Sequence, residues 1–123
     1  MKYSVDKNAD YAIFKLEEKN LNSIIAPLLK TEFIFLRNEG VLNLIFDLSD
    51  VEYIDSSGLS AVLTANRIWK EDGNFILTNI NHDPIHRLIN ISRLDTILQI
   101  MPTTDDALSF VANLKQNVKD SKG

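Results

Sequence analysis

The feature that most constrains the fold is a run of nearly unbroken apolar residues, Val41–Phe46, near the middle of the chain. A strand that lacks alternating polar side chains is normally covered on both faces, as in a sheet with helices on either side. The segments around this run alternate between the spacing of strands and that of helices. The pattern therefore predicts the α/β class with a mostly parallel central sheet and flanking helices.

The predicted elements follow the order β-β-α-β-α-β-α-β-α. The strands are expected at Lys2–Asp6, Tyr11–Leu16, Val41–Phe46, Phe75–Thr78 and Ile97–Ile100. The helices are expected to begin near Asn22 or Ser23, near Ser57, at Pro84 behind an Asp83 cap, and behind a cap at Thr103 or Thr104. Asn8-Ala9-Asp10 suits a hairpin turn, so the first two strands are expected to form an antiparallel edge of a mixed sheet.

Length and composition predict one domain. The chain has 123 residues, of which 45% are hydrophobic, enough for a single buried core and too few for two. We expect that domain to span residues 1–114. From Lys115 onward the sequence is polar, so residues 115–123 are expected to form a frayed tail.

Charge and residue usage argue against several classes of partner and site. A net charge of -4 argues against direct binding of nucleic acid, which normally requires a basic surface. The absence of cysteine removes disulfides and thiolate metal sites. The start of the chain lacks the apolar core of a signal peptide, and no stretch approaches the roughly 18 apolar residues of a membrane span. We therefore expect a cytoplasmic protein with no membrane partner.

Functional residues are expected where the loop after the central strand enters the second helix, because the functional surface of open α/β sheets lies beyond the carboxyl ends of the strands. Asp55-Ser56-Ser57-Gly58 occupies that position. In one interpretation, Ser56 or Ser57 only caps the helix. In the other, Ser56 carries a phosphoryl group that the free amides of the first turn can meet. These residues alone leave both interpretations open.

The sequence from Leu44 to Leu59 reads LIFDLSDVEYIDSSGL. This strand, loop and helix entrance resemble the sulfate-transporter and anti-sigma-factor-antagonist (STAS) domain family, in particular its stand-alone bacterial anti-sigma factor antagonists. The resemblance continues through Phe75–Thr78 and Leu88–Leu94 and covers roughly residues 8–114.

The resemblance implies a role for each residue of the helix entrance. Ser56 is the implied site of phosphorylation, and Asp55 is the acidic neighbour needed for recognition or phosphorylation. Ser57 and Gly58 complete the entrance, so Asp55, Ser56, Ser57 and Gly58 form the implied partner-binding segment. The unphosphorylated domain would bind an anti-sigma factor serine kinase and so free a sigma factor. Phosphorylation by that kinase, which holds ATP and Mg²⁺, would end the binding, and a serine phosphatase would restore it.

No catalytic residue, metal site or cofactor is predicted for this chain. It lacks the glycine-rich phosphate loop with a lysine and the motifs of protein kinases, so we expect a phosphate acceptor and not an enzyme. His82 and His86 are too few for a zinc site.

Two departures from the family pattern are visible. Glu17-Glu18-Lys19-Asn20-Leu21 stands where the family often has Gly-Glu-Leu-Asp, beside the implied partner surface. Arg93 stands where the family often has glycine, so Ser92 or Arg93 is expected to adopt a less favoured backbone conformation at the end of the third helix.

Two alternative functions stay open. A STAS domain could bind partners without a phosphorylation switch, in which case Ser56 is only a helix cap. A receiver-like phosphotransfer domain would use Asp47 as the acceptor, but it needs Mg²⁺ held by further carboxylates and a lysine before the proline after its last strand. This chain has Met101-Pro102 there.

Overall fold

In the computed structural model, residues 1–122 are described, and their side chains are described as far as Lys115. The strands are β1 (Tyr3–Lys7), β2 (Ala12–Leu16), β3 (Asn20–Leu21), β4 (Asn43–Asp47), β5 (Tyr53–Ile54), β6 (Asn74–Thr78) and β7 (Gln99–Met101). The helices are α1 (Ile25–Asn38), α2 (Ser56–Trp69), α3 (Asp83–Ser92) and α4 (Thr104–Lys122). A short 3-10 turn covers Leu94–Thr96.

The main sheet has five strands in the order β1-β2-β4-β6-β7. The pair β1–β2 is antiparallel, and the other three pairs are parallel. Leu44, Ile45 and Phe46 of β4 are wholly buried, as expected for a strand covered on both faces. The predicted mixed, mostly parallel sheet is confirmed. Asp47 of β4 pairs with Thr78 of β6, so the loops that follow these two strands leave the sheet at the same edge.

Helices cover both faces of the sheet. On one face, Ile45 and Ile76 pack against Ala107 and Val111 of α4. The larger core lies on the opposite face, where buried side chains of the sheet meet those of α1, α2 and α3. This second face matters for function, because it carries the helix whose first turn contains the predicted site.

Aromatic side chains hold α1 and α2 on the sheet. Phe33 of α1 meets Phe46 of β4 and Trp69 of α2 edge to face, with ring centroids 5.2 and 5.9 Å apart. The indole Nε1 of Trp69 donates a hydrogen bond of 2.8 Å to the carbonyl oxygen of Val41. These contacts fix α2 against the sheet and thereby fix the position of its first turn.

Helix α1 begins at Ile25, two to three residues later than predicted, and ends before Gly40 as predicted. The side-chain oxygen of Asn22 accepts hydrogen bonds from the amides of Ile24 and Ile25 at 3.0 and 3.2 Å, so Asn22 rather than Ser23 serves the first turn. Beyond the helix, Gly40 has a φ of 94°, a left-handed conformation that glycine adopts without strain.

The start of α3 and the last strand differ from the prediction. Asp83 does not cap α3, because it is itself the first helical residue and follows His82. The last strand was expected at Ile97–Ile100 but begins at Gln99, since the 3-10 turn and a helical conformation at Ile97 occupy the preceding residues. At α4, Thr103 supplies the cap, and its hydroxyl accepts from the amide of Asp106 at 3.1 Å.

The end of α3 confirms a prediction about backbone conformation. Arg93 lies in the left-handed region, with φ 55° and ψ 35°. A glycine would adopt this conformation at lower energy, since L-residues with a Cβ are disfavoured there.

The side chains of residues 116–123 lie outside the described part of the chain, so the expected fraying of the tail over residues 115–123 stays a prediction. The single domain over residues 1–114 also stays a prediction. Among the helices that the structure describes, none combines the length and apolar character needed to cross a bilayer.

Candidate functional site

The loop between β4 and α2 is braced by its own residues. The carboxylate of Asp47 accepts a hydrogen bond of 2.9 Å from the amide of Ser49. Leu48 and Val51 are wholly buried, and the amide of Val51 donates to the carbonyl oxygen of Leu48 at 3.0 Å. The loop therefore holds a defined course from the sheet to the helix. The Asp47 carboxylate is already hydrogen-bonded to the loop, and the first two strands are antiparallel. Neither feature supports a receiver-like site.

A two-stranded parallel sheet, which the sequence did not predict, joins this loop to the one before α1. In it β3 pairs with β5, with Asn20 opposite Tyr53 and Leu21 opposite Ile54. The carbonyl oxygen of Lys19 accepts from the amide of Tyr53 at 3.1 Å. The segment that departs from the family pattern is therefore joined, through Asn20 and Leu21, to the strand that precedes the helix entrance.

Asp55 is the cap of α2. Its backbone is extended, and its side-chain Oδ1 accepts a hydrogen bond of 2.9 Å from the amide of Gly58. The helix begins at Ser56, one residue earlier than predicted, and the interpretation of Ser56 or Ser57 as the cap is wrong. Because the carboxylate performs the capping, neither hydroxyl is required for it.

The predicted site residues occupy one helical turn but differ in exposure. Asp55 and Ser56 are exposed, Ser57 is half-buried and Gly58 is buried. A Cβ on Gly58 would lie 2.2 Å from the carbonyl oxygen of Leu21, so only glycine permits this approach of α2 to β3. Ser56 is thus exposed, on a helical turn whose position is fixed by the packing of Gly58 against β3.

Ser56 and Ser57 open onto a groove between α1 and α2, with a cavity volume of about 330 Å³. The groove is lined by Ser23, Ala26, Pro27, Lys30, Ser56, Ser57 and Ser60. The ammonium Nζ of Lys30 lies 3.5 Å from the hydroxyl of Ser60. Sequence reasoning missed Lys30, because it lies on another helix and no spacing relates it to Ser56.

Apolar side chains are exposed on α1, just before it, and on β5. Ile24, which precedes α1, is 75% exposed, and Tyr53 of β5 is 57% exposed. Leu28 and Phe35 of α1 are also about half exposed. Exposed apolar groups near a polar centre are typical of surfaces that bind other proteins.

The acidic side chains of the loop do not gather into a metal site. Among the residues that the structure describes, there is no group of three or more His, Asp or Glu side chains that could hold a metal ion. His86 is exposed, with its Nε2 atom 2.7 Å from the carbonyl oxygen of Ile80. The exposed groups at the beginning of α2 are the Asp55 carboxylate and the Ser56 alcohol.

Comparisons with known proteins agree with this architecture. The family model described as "STAS domain" matches residues 2–107. A protein of Thermotoga maritima that is named as a candidate anti-sigma factor antagonist is 28% identical over 107 residues, covering 85% of this chain and 94% of that protein.

Solved structures share the fold. An anti-sigma factor antagonist from Mycobacterium paratuberculosis superposes with a TM-score of 0.78 at 22% identity, covering 90% of this chain and 93% of that one. SpoIIAA, a Bacillus cell fate determinant, has been solved in its phosphorylated form. It matches with a TM-score of 0.68 at 18% identity, over 89% of this chain and 99% of that one.

Proposed function

This chain belongs to the STAS domain family, and from that premise we propose that it is an anti-sigma factor antagonist controlled by phosphorylation of Ser56. Its unmodified form binds an anti-sigma factor serine kinase and so releases a sigma factor. The observation that carries the proposal is that Ser56, the first residue of α2, is exposed. Its hydroxyl is not needed as the helix cap, because the carboxylate of Asp55 performs that role. Such a partner uses ATP and acts on transcription, so the proposal places the protein in the cytoplasm.

In the proposed reaction, this chain is the acceptor and the partner supplies the catalytic machinery. The Ser56 oxygen attacks the γ-phosphorus of ATP, and the new O–P bond replaces the bond to the β,γ-bridging oxygen. ADP leaves, and the hydroxyl proton passes to a base of the kinase, which also holds Mg²⁺. A serine phosphatase restores the alcohol by hydrolysis, in which water attacks the phosphorus and inorganic phosphate leaves.

Phosphorylation weakens partner binding through the interface and not through unfolding. The phosphoryl group adds about 1.5 to 2 negative charges beside the exposed carboxylate of Asp55. A partner surface that fits a small hydroxyl next to exposed apolar side chains must then desolvate a dianion. Each 1.4 kcal/mol lost weakens binding about tenfold, so a loss of a few kcal/mol dissociates a submicromolar complex.

The comparisons support the proposal at the level of family and chemistry. The relatives with high coverage are named as anti-sigma factor antagonists. SpoIIAA, which shares the fold, exists in a phosphorylated form. The geometry adds the exposure of Ser56 at the first position of α2, which leaves its alcohol accessible to a kinase and a phosphatase.

Phosphate mapping tests the proposal. The parent protein, Ser56→Ala and Ser57→Ala are incubated with ATP, Mg²⁺ and each anti-sigma serine kinase that binds the parent, and phosphate is located by mass spectrometry. We expect phosphate on Ser56 in the parent and in Ser57→Ala, and no phosphate in Ser56→Ala. A kinase that binds the parent but leaves Ser56 unmodified would contradict the proposal and favour an interaction domain without a phosphorylation switch.

A further inference from the structure

We propose that Lys30 of α1 binds the phosphoryl group once it is attached to Ser56, so that the phosphorylated state is held across the groove between α1 and α2. This inference rests on the proposed phosphorylation of Ser56 and adds a residue from a different helix. The groove would then bind a phosphate that is attached to the same chain.

The positions of three side chains support a contact between Lys30 and the phosphate. Ser56 and Ser60 are four residues apart on α2, which puts their Cβ atoms on one helix face, about 5–6 Å apart. The ammonium group of Lys30 is already at Ser60, 3.5 Å from its hydroxyl. It therefore lies about one helical turn from the oxygen that would carry the phosphate.

Lys30 can move from Ser60 to the phosphate at little cost. A separation of 3.5 Å is at the long limit of a hydrogen bond, so the contact with Ser60 is weak. The four-carbon stem of lysine is flexible, and an ammonium group binds phosphate as a compact point charge. A contact between ammonium and phosphate, in which both groups are charged, is stronger than one with a neutral hydroxyl.

The groove suits an anion in both size and charge. Its other lining residues are serines, an alanine and a proline, which leave a cavity of about 330 Å³. Among the described residues that line it, Lys30 carries the single charge. A phosphate on Ser56 therefore has two charged neighbours, the Asp55 carboxylate at the cap of α2 and the Lys30 ammonium in the groove lining. The ammonium offsets the repulsion that the carboxylate imposes.

This contact has a regulatory consequence. An adjacent cation favours the dianion over the monoanion, so Lys30 lowers the second pKa of the phosphate from its ordinary value of about 6. The group that ends partner binding then keeps its full charge at neutral pH and slightly below it. Without Lys30, the phosphate is still attached but is less ordered and loses its second charge at higher pH.

A titration without any kinase tests the proposal. Phosphoserine is incorporated at position 56 during translation, and the second pKa of its phosphate is measured by ³¹P NMR. Removal of the cation in Lys30→Met and Lys30→Gln should raise that pKa by about 0.2–0.7, the range expected for an exposed ion pair. Lys30→Arg should restore the lowered value.

Lys70→Met is the matched control, because Lys70 is an exposed lysine beyond the opposite end of the same helix. It lies 14 residues, or about 21 Å, from Ser56, so screening should keep its effect below about 0.1 pKa unit. An equal phosphate pKa in the parent, Lys30→Met and Lys30→Gln would overturn the proposal. Because no kinase is used, this result is independent of whether Ser56 is the residue that a kinase modifies.

Discussion

The α-carbon of Gly58 in α2 lies so close to the carbonyl oxygen of Leu21 in β3 that a Cβ would stand 2.2 Å from that oxygen. The same carbonyl oxygen accepts a hydrogen bond of 3.2 Å from the amide of Asp55. One backbone oxygen thus connects the loop before α1 to the beginning of α2. This contact fixes the position of Ser56 relative to β3.

Gly58→Ala should therefore lower the stability of the fold. In an exposed helix interior, replacing glycine with alanine normally stabilises by about 1 kcal/mol. Here the new methyl group would stand 2.2 Å from the backbone oxygen of Leu21, which cannot move aside cheaply, and 2.7 and 3.0 Å from side-chain carbons of Leu21 and Ile54. We therefore expect a loss of about 1–3 kcal/mol. Urea unfolding followed by the fluorescence of Trp69, the single tryptophan, measures it. Arg67→Ala, at an exposed position of the same helix, should stay within about 0.5 kcal/mol of the parent.

Asp55 makes two separable contributions, a hydrogen-bond acceptor and a charge. Asp55→Ala removes the acceptor of the Gly58 amide and should lower the free energy of unfolding by about 1 kcal/mol. Asp55→Asn keeps an acceptor of the same shape and should remain within about 0.5 kcal/mol of the parent, since asparagine caps as well as aspartate. Equal losses in the two variants in urea unfolding would mean that the cap is not the source of the stability.

Ser56→Asp should preserve or raise stability while it weakens partner binding. The first turn of α2 contains no acidic residue, and a negative charge there interacts favourably with the helix dipole. We expect a gain of about 0.3–1 kcal/mol at low salt that shrinks as the ionic strength rises. Thermal unfolding at two salt concentrations measures it. A clear loss of stability would indicate that the charge disturbs the fold. That result would contradict the proposal that phosphorylation acts only at the partner interface.

Arg93→Gly should stabilise the protein. Arg93 ends α3 in the left-handed region, where glycine escapes the strain that a Cβ imposes but loses more backbone entropy on folding. The net gain should be about 0.5–1 kcal/mol in urea unfolding. Arg87→Gly, at an exposed position inside α3, should instead cost about 1 kcal/mol. Two losses of similar size would contradict this account of the helix end.

The sequence predicted the main sheet because its central strands are apolar runs that alternate with helical patterns. The apolar run before Asp47 is typical of a strand covered on both faces, and the alternation with helices indicated that the sheet is mostly parallel. The pair β3–β5 was missed because two residues per strand are too few for any periodicity to appear. Leu21, an apolar residue in a polar loop, was its one visible sign.

The site was predicted as a segment but not in its detailed contacts. The sequence interpretation considered only Ser56 and Ser57 as caps, although aspartate caps helices as readily as serine. The structure assigns the cap to Asp55. Lys30 could not be found at all, because its proximity to Ser60 arises from the packing of two helices and not from any local spacing.

In the proposed mechanism, the alcohol of Ser56 on α2 controls partner binding through the charge it carries once phosphorylated. The most direct test of this mechanism is calorimetric titration of an anti-sigma serine kinase that binds the unmodified protein, using the unmodified chain and the chain with phosphoserine incorporated at position 56. We predict that the phosphorylated chain binds at least about 100-fold more weakly, a loss of about 3 kcal/mol, while its fold is intact. Equal dissociation constants for the two forms would contradict this mechanism.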